Sequence, residues 1–266
     1  MSLLVANERW KRKLNHDVLP EHLGATSWAD TTAIAAWQKA HGVAADGEFG
    51  RKSLAAYNEL YGWKGTPGFR GTRRYKRKGP PLAIVIHDTV SHTAEGAYDT
   101  LETAENGPYS THFFVNPDGS VFESLDPEKE SGVHAAGWND HSIGIDMVAI
   151  LDPKHANAVE KKRIVSRKWS ASTAAKGKVV DYTPEQKAAL LHLVEALCQR
   201  FDIPTVVPAQ LTGYGTKIEG LRAETFRGVL AHAQTSSKRW DGLLAAELLH
   251  AAGYEKWDPS HPGTEG

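Results

Sequence analysis

Strands alternating with helices beyond residue 81, after short amphipathic helices before residue 62, predict an α/β fold, a sheet with helices packed on it, preceded by a small all-α segment. Three observations carry this. The continuous apolar run at residues 82–86 (LAIVI) has the pattern of a strand buried on both faces. Residues 111–124 (THFFVNPDGSVFES) alternate on both sides of an Asn-Pro-Asp-Gly turn, as a hairpin does. Residues 183–201 open on Thr183-Pro184-Glu185-Gln186, a capping box with proline at the first helical position, and continue with Ala188, Leu191, Val194, Cys198 and Phe201 along one side.

The remaining elements follow in chain order. Residues 31–41 carry Ile34, Trp37 and Ala40 on one helical face, Asp46-Gly47 marks a turn, and a further helix is expected from about Arg51 with Leu54, Tyr57 and Leu60. These helices assign residues 1–62 to one domain. Residues 63–80 are rich in glycine and basic residues without a hydrophobic period and read as a linker, which leaves 81–266 as the α/β domain. Within it, residues 143–150 (IGIDMVAI) read as a strand interrupted by Asp146, and residues 204–207 and 228–232 as two further short strands. Residues 152–181 form a polar stretch with Lys154, Lys161, Lys162, Arg163, Arg167, Lys168, Lys176 and Lys178. It reads as a solvated insertion or as a groove wall for an anionic glycan polymer.

Of the 266 residues 41% are apolar and 24% charged, which gives enough core for one or two domains without staples. The net charge of −1 argues against a polyanion-binding role for the whole chain, so no nucleic-acid partner is expected. Cys198 is the single cysteine, which rules out an intrachain disulfide, fits a reducing compartment, and reads as buried in its helix. No stretch approaches 18 uninterrupted apolar residues, so membrane insertion is not expected. The first residues lack the order of a secretory signal, and the expectation is a chain made in the cytoplasm that meets its target after release.

Chemistry collects at strand ends. His87 follows the run AIVI directly, His232 stands in the same relation to residues 228–231, and Asp241 comes nine residues later. Two imidazoles and a carboxylate, with a fourth position open to water, are the ligand set of a catalytic zinc. Zn2+ is therefore the expected cofactor, held by His87, His232 and Asp241. No HExxH run is present, so the site is not that of a helix-borne protease.

Five stretches, AIVIHDT, STHFFVNPDGSVFES, GVHAAGWNDHSIGIDMV, YTPEQKAALLHLVEALCQRFDIP and GVLAHAQTSSKRWDG, occur in this order over residues 82–245. Together they resemble the N-acetylmuramoyl-L-alanine amidases, a family that includes phage lysozyme-type amidases and peptidoglycan recognition proteins. The resemblance implies a central mixed β-sheet flanked by helices. It implies cleavage of the amide between N-acetylmuramic acid and the first L-alanine of the stem peptide, with His87, His232 and Asp241 as zinc ligands. By the same resemblance Asp146 is the general base, one methylene shorter than the glutamate usual there, and Lys238 stabilises the oxyanion. His134 lines the cleft, and Tyr109, Trp138 and Trp240 are the aromatic candidates for substrate contact. His92, His112 and His141 are read as structural.

Residues 30–60 carry an aromatic-Gln, a His-Gly and an Asp-Gly pair in the order seen in three-helix peptidoglycan-binding domains, which they resemble. Tethering a wall binder to an amidase raises the local substrate concentration. The combined expectation is a monomeric endolysin acting on bacterial peptidoglycan. The alternatives are a non-catalytic recognition protein on the same fold and a cytoplasmic muropeptide-recycling amidase.

Overall fold

The computed structural model describes residues 25, 27, 29–49, 52, 53, 56, 73–169, 177–211 and 217–258. The chain divides into two compact units, Met1–Gly68 and Phe69–Gly266.

In the first unit, helix α1 (Thr31–Ala40) starts at Asp30, whose carboxylate accepts a hydrogen bond from the Ala33 N–H at 3.1 Å. Ile34 and Trp37 are buried, but Ala40 is exposed, and the third inward position is taken by Gln38. The Gln38 amide nitrogen reaches Asp46 Oδ1, the Glu48 carbonyl and Ser53 Oγ, each at 2.9 Å, while its oxygen accepts from the Gly47 N–H. The Gln and Asp-Gly pairs of the motif thus meet in one polar knot around the buried Gln38 amide. Gly47 has φ +71° and lies so close to Thr31 that a side chain there would meet its carbonyl at 2.8 Å. The expected helical positions Leu54, Tyr57 and Leu60 lie outside the described residues.

The second unit is built on a five-stranded mixed sheet. Its strands are β2 (Ala83–Asp88), β3 (Phe113–Val115), β4 (Val121–Glu123), β6 (Ser142–Met147) and β10 (Gly228–Ala231), in the order β10-β2-β6-β3-β4. All neighbours are parallel except the β3–β4 hairpin at the edge. β2 and β6 are buried along their whole length, which is why they carry near-continuous apolar runs. The α/β expectation with a central mixed sheet holds here.

Register sorts the side chains by face. Ala83, Val85 and His87 of β2 stand beside Ser142, Gly144 and Asp146 of β6. Over this face sit two apolar clusters, one around Ala83, Val85, Trp138, Phe226 and Leu230, the other around Phe114, Phe122 and the helix α2 (Ala94–Glu102). On the alternate parity, helices α3 (Pro184–Phe201) and α5 (Leu243–Ala251) pack against β3 and β10 respectively. Helix α3 begins as its capping residues predict, with Thr183 Oγ1 accepting from the Gln186 N–H at 3.0 Å. Its buried face, however, is Leu190, Leu193, Val194, Leu197 and Cys198; Ala188 is exposed and Leu191 and Phe201 are half-buried. Residues 188–198 are apolar on several sides, so periodicity alone does not choose the face.

Part of the expected linker is structured. Arg74–Lys76 form strand β1, antiparallel to β5 (Glu130–Gly132), and Arg77 is buried behind it. All three β1 residues are exposed, so the strand leaves no apolar trace in the sequence. The rest of the linker, up to residue 72, lies outside the described residues.

The polar stretch after β6 forms a short 3-10 turn (Glu160–Arg163) and an antiparallel pair, β7 (Ile164–Ser166) with β8 (Lys178–Val180). Glu247 of α5 holds this arm by accepting from Arg167 Nε and from the buried Trp169 Nε1. Strands β9 (Val206–Pro208) and β11 (Glu255–Trp257) pair in parallel beyond β10. The four-residue helix α4 (His232–Thr235) follows β10 directly.

Candidate metal centre and active-site cleft

Three parallel strands end side by side, and their ends furnish the polar groups. His87 occupies the fifth position of β2, Asp146 is its register partner on β6, and His232 is the residue after β10. Asp241 arrives on the turn before α5, whose backbone is tied to α4 by a hydrogen bond from the Ala233 N–H to the Asp241 carbonyl at 2.9 Å. All four side chains are buried.

His87 Nδ1, His232 Nδ1 and Asp241 Oδ2 form a nearly equilateral triangle, with separations of 3.0, 3.1 and 3.0 Å. Ligand bonds of about 2.0–2.1 Å in a tetrahedral zinc site place donor atoms about 3.3 Å apart, so the triangle fits such an ion with adjustments of a few tenths of an ångström. These three residues can hold a metal ion. Burial and the neighbouring His232 push His87 down to about 4, which favours the neutral imidazole a metal needs. Burial raises the Asp241 carboxyl, but the two facing imidazoles outweigh it and hold it well below the usual carboxylate range. Burial, reinforced by Asp241, lifts the Asp146 carboxyl to about 8.

The triangle lies in the wall of a cleft of about 470 Å³, which runs between the two apolar clusters on the sheet. Asp146, His134, Tyr109, Trp240 and Arg239 also line it. Two of the expected residues lie away from the cleft wall. Trp138 is buried in the cluster with Phe226, at 6.2 Å between ring centroids, and is not part of the cleft wall. An indole packed in the core has no face left for a sugar. Lys238 and Arg239 are both exposed; Arg239 lines the cleft and Lys238 does not. Arg239, Trp240 and Asp241 line the cleft in succession, with Arg239 exposed to solvent.

A model of the N-acetylmuramoyl-L-alanine amidase family matches residues 77–259. The chain belongs to this family. Solved structures to which the chain is similar include the following three. The N-acetylmuramoyl-L-alanine amidase LysC from Clostridium intestinale URNW is 16% identical, covering 73% of this chain and 98% of that one, with a TM-score of 0.47. The Ph2119 endolysin from Thermus scotoductus MAT2119 bacteriophage Ph2119 is 20% identical over 75% and 97%, at 0.41. The endolysin LysCS from Clostridium intestinale URNW is 17% identical over 61% and 76%, at 0.39. No curated protein matches the chain.

The amidase domain also holds Asp88, which sequence reasoning did not single out, and two histidines, His112 and His92, that it read as structural. Asp88, which follows His87 and so points to the other face of β2, accepts hydrogen bonds from the Tyr182 hydroxyl and, at 2.6 Å, from the Gly242 N–H. Burial raises its carboxyl to about 7. His112 is fully buried: its Nδ1 accepts from the Gly144 N–H at 2.9 Å and its Nε2 faces the Glu130 carbonyl at 3.0 Å. Burial and the adjacent Arg77 push it down to about 3. At the cleft lip, His92 Nδ1 meets Glu160 Oε1 at 2.8 Å and joins the loop after β2 to the basic arm. A buried acid directly after a strand-end histidine was the available sign for Asp88; His112 offered none beyond its place in the hairpin segment.

Proposed function

We propose that this chain is a zinc-dependent amidase that cleaves the bond between N-acetylmuramic acid and L-alanine in bacterial peptidoglycan. The observation that carries the reading is the triangle of His87, His232 and Asp241 donor atoms in the wall of the cleft. Zinc bound there supplies Lewis acidity toward the scissile carbonyl and a lowered pKa for water. The protein's own groups do the rest. Asp146, beside His87 on the sheet, takes a proton from the attacking water at its carboxylate and returns it to the departing L-alanine nitrogen. Arg239 faces the negative charge that develops on the carbonyl oxygen. Tyr109 and Trp240 flank the sugar and peptide. We also propose an endolysin role, supported by the likeness of residues 30–60 to a wall-binding module beside an amidase domain.

The test is digestion of purified sacculi by zinc-loaded and chelator-stripped protein, with mass analysis of the products. The expected result is release of free stem peptides beginning with L-alanine, only from the zinc-loaded sample. New reducing sugar ends with stems still attached would refute the amidase assignment. Binding to sacculi without release would assign the chain to non-catalytic recognition.

A further inference from the structure

Resting on the metal reading above, we infer that His134 is a positioning residue, the end of a directed hydrogen-bond relay that sets which nitrogen of His87 is free to bind the ion. The starting point is Ser142, whose Oγ lies 2.7 Å from the Trp138 carbonyl oxygen. A serine has one hydroxyl hydrogen, and the carbonyl can only accept, so that hydrogen is committed. Towards His134 Nε2, 3.4 Å away, Ser142 Oγ is therefore the acceptor. His134 Nε2 carries the proton, and in the neutral ring Nδ1 is then a lone pair.

That lone pair faces His87 Nε2 at 3.0 Å, with the two rings nearly perpendicular at 88°. His87 must donate from Nε2, which leaves its own Nδ1 unprotonated. Nδ1 is the atom that closes the triangle with His232 and Asp241. The serine on β6 thus fixes, through two imidazoles, the tautomer of a ligand on β2. Fixing the outer nitrogen of a ligating histidine is worth about 10–100-fold in metal affinity elsewhere.

Two features hold His134 in place. Its backbone N–H and that of Ala135 both donate to Asn139 Oδ1, at 2.9 and 2.8 Å. Beneath the ring, β6 carries Gly144, where a Cβ would lie 2.8 Å from His134 Cγ and 2.8 Å from Thr111 Oγ1. The sheet leaves a gap where the imidazole rests.

The experiment has two arms. Long-range 1H–15N correlation on the zinc-free protein reads the His87 tautomer directly; the expected proton is on Nε2, and a proton on Nδ1 would overturn the relay. Chelator competition then measures zinc affinity. His134→Ala is expected to weaken it about 10–100-fold, and His134→Asn, whose Oδ1 stands near the place of Nδ1, to restore most of the loss. Equal affinity in His134→Ala and the parent overturns the proposal. A parent chain with no zinc affinity overturns the underlying metal reading instead, and the tautomer at His87 tells the two failures apart.

Discussion

Asp88 accepts a hydrogen bond from the backbone N–H of Gly242, so the residue after one candidate ligand on β2 grips the residue after another, 154 positions later. The same carboxylate accepts from Tyr182 just ahead of α3. Gly242 has φ +86°, and a Cβ there would lie 2.2 Å from the Ile86 carbonyl oxygen. Gly242→Ala is therefore expected to destabilise the domain by on the order of 2–4 kcal/mol, through combined strain and collision. Tyr182→Phe leaves Asp88 short of one donor and costs about 1–2 kcal/mol. Urea denaturation of the two variants reads both values, and a Gly242→Ala midpoint equal to the parent's would contradict the close approach.

Lys238 and Arg239 are both exposed, and of the two Arg239 lines the cleft. Arg239→Ala is therefore expected to lower kcat about 10²–10³-fold, as loss of a transition-state donor does. Lys238→Ala should stay within about twofold of the parent, since a solvated charge off the cleft acts only through screened distance. Steady-state kinetics on soluble muropeptides checks both; the reverse order would return the role to Lys238.

Burial holds the Asp146 carboxyl at about 8 in the metal-free protein. Its folded value is raised above that of the unfolded chain, so the stability it contributes is present at low pH and is lost as pH rises through about 8. A divalent cation beside it favours the carboxylate and should bring the value down. Carboxyl 13C chemical shifts, followed with pH before and after zinc addition, measure the effect. An Asp146 resonance that titrates near 4 without zinc would refute it. Asp146→Asn should also lose most of the turnover while keeping zinc affinity within a few-fold.

His112 behaves in the opposite sense. Its folded value is pushed down to about 3, below that of the unfolded chain, so stability falls as pH drops from about 6.5 towards 3. The steepest part of this loss is about 1.4 kcal/mol per pH unit for one group. Denaturation at pH 7, 6 and 5 should show that slope reduced in His112→Asn, which keeps an acceptor for the Gly144 N–H. Parallel slopes in parent and variant would mean that His112 charges within the fold.

Much of the sheet could be read from residue order alone. The runs at β2 and β6, the turn between β3 and β4, and the cap of α3 declare themselves through local patterns that tertiary structure reinforces. The convergence of His87 and His232 was legible because strand ends of a parallel sheet lie together, whereas Asp241, on a turn, was carried by the family resemblance. What escaped reading was set by packing rather than pattern. The α3 segment is apolar around most of its circumference, so Leu190, Leu193 and Leu197 could not be preferred over Ala188 and Phe201. β1 is a strand only because Glu130–Gly132 pair with it. Trp138 looked available beside the His134 motif, but Phe226, 88 residues away, covers it. Arg239 and Lys238 are chemically alike and adjacent, so residue pattern could not tell which lines the cleft.

The spacing of the triangle along the chain also orders its assembly. His87 is translated 145 residues before His232 and 154 before Asp241, and the three meet only when β10 has docked against β2. Long-range pairing of this kind is among the slower steps of folding. A nascent chain carrying only the first histidine has a single donor and no cage. On the proposed metal reading, a chain that ends before Asp241 lacks the complete cage, so binding of the ion would be a late event of biogenesis.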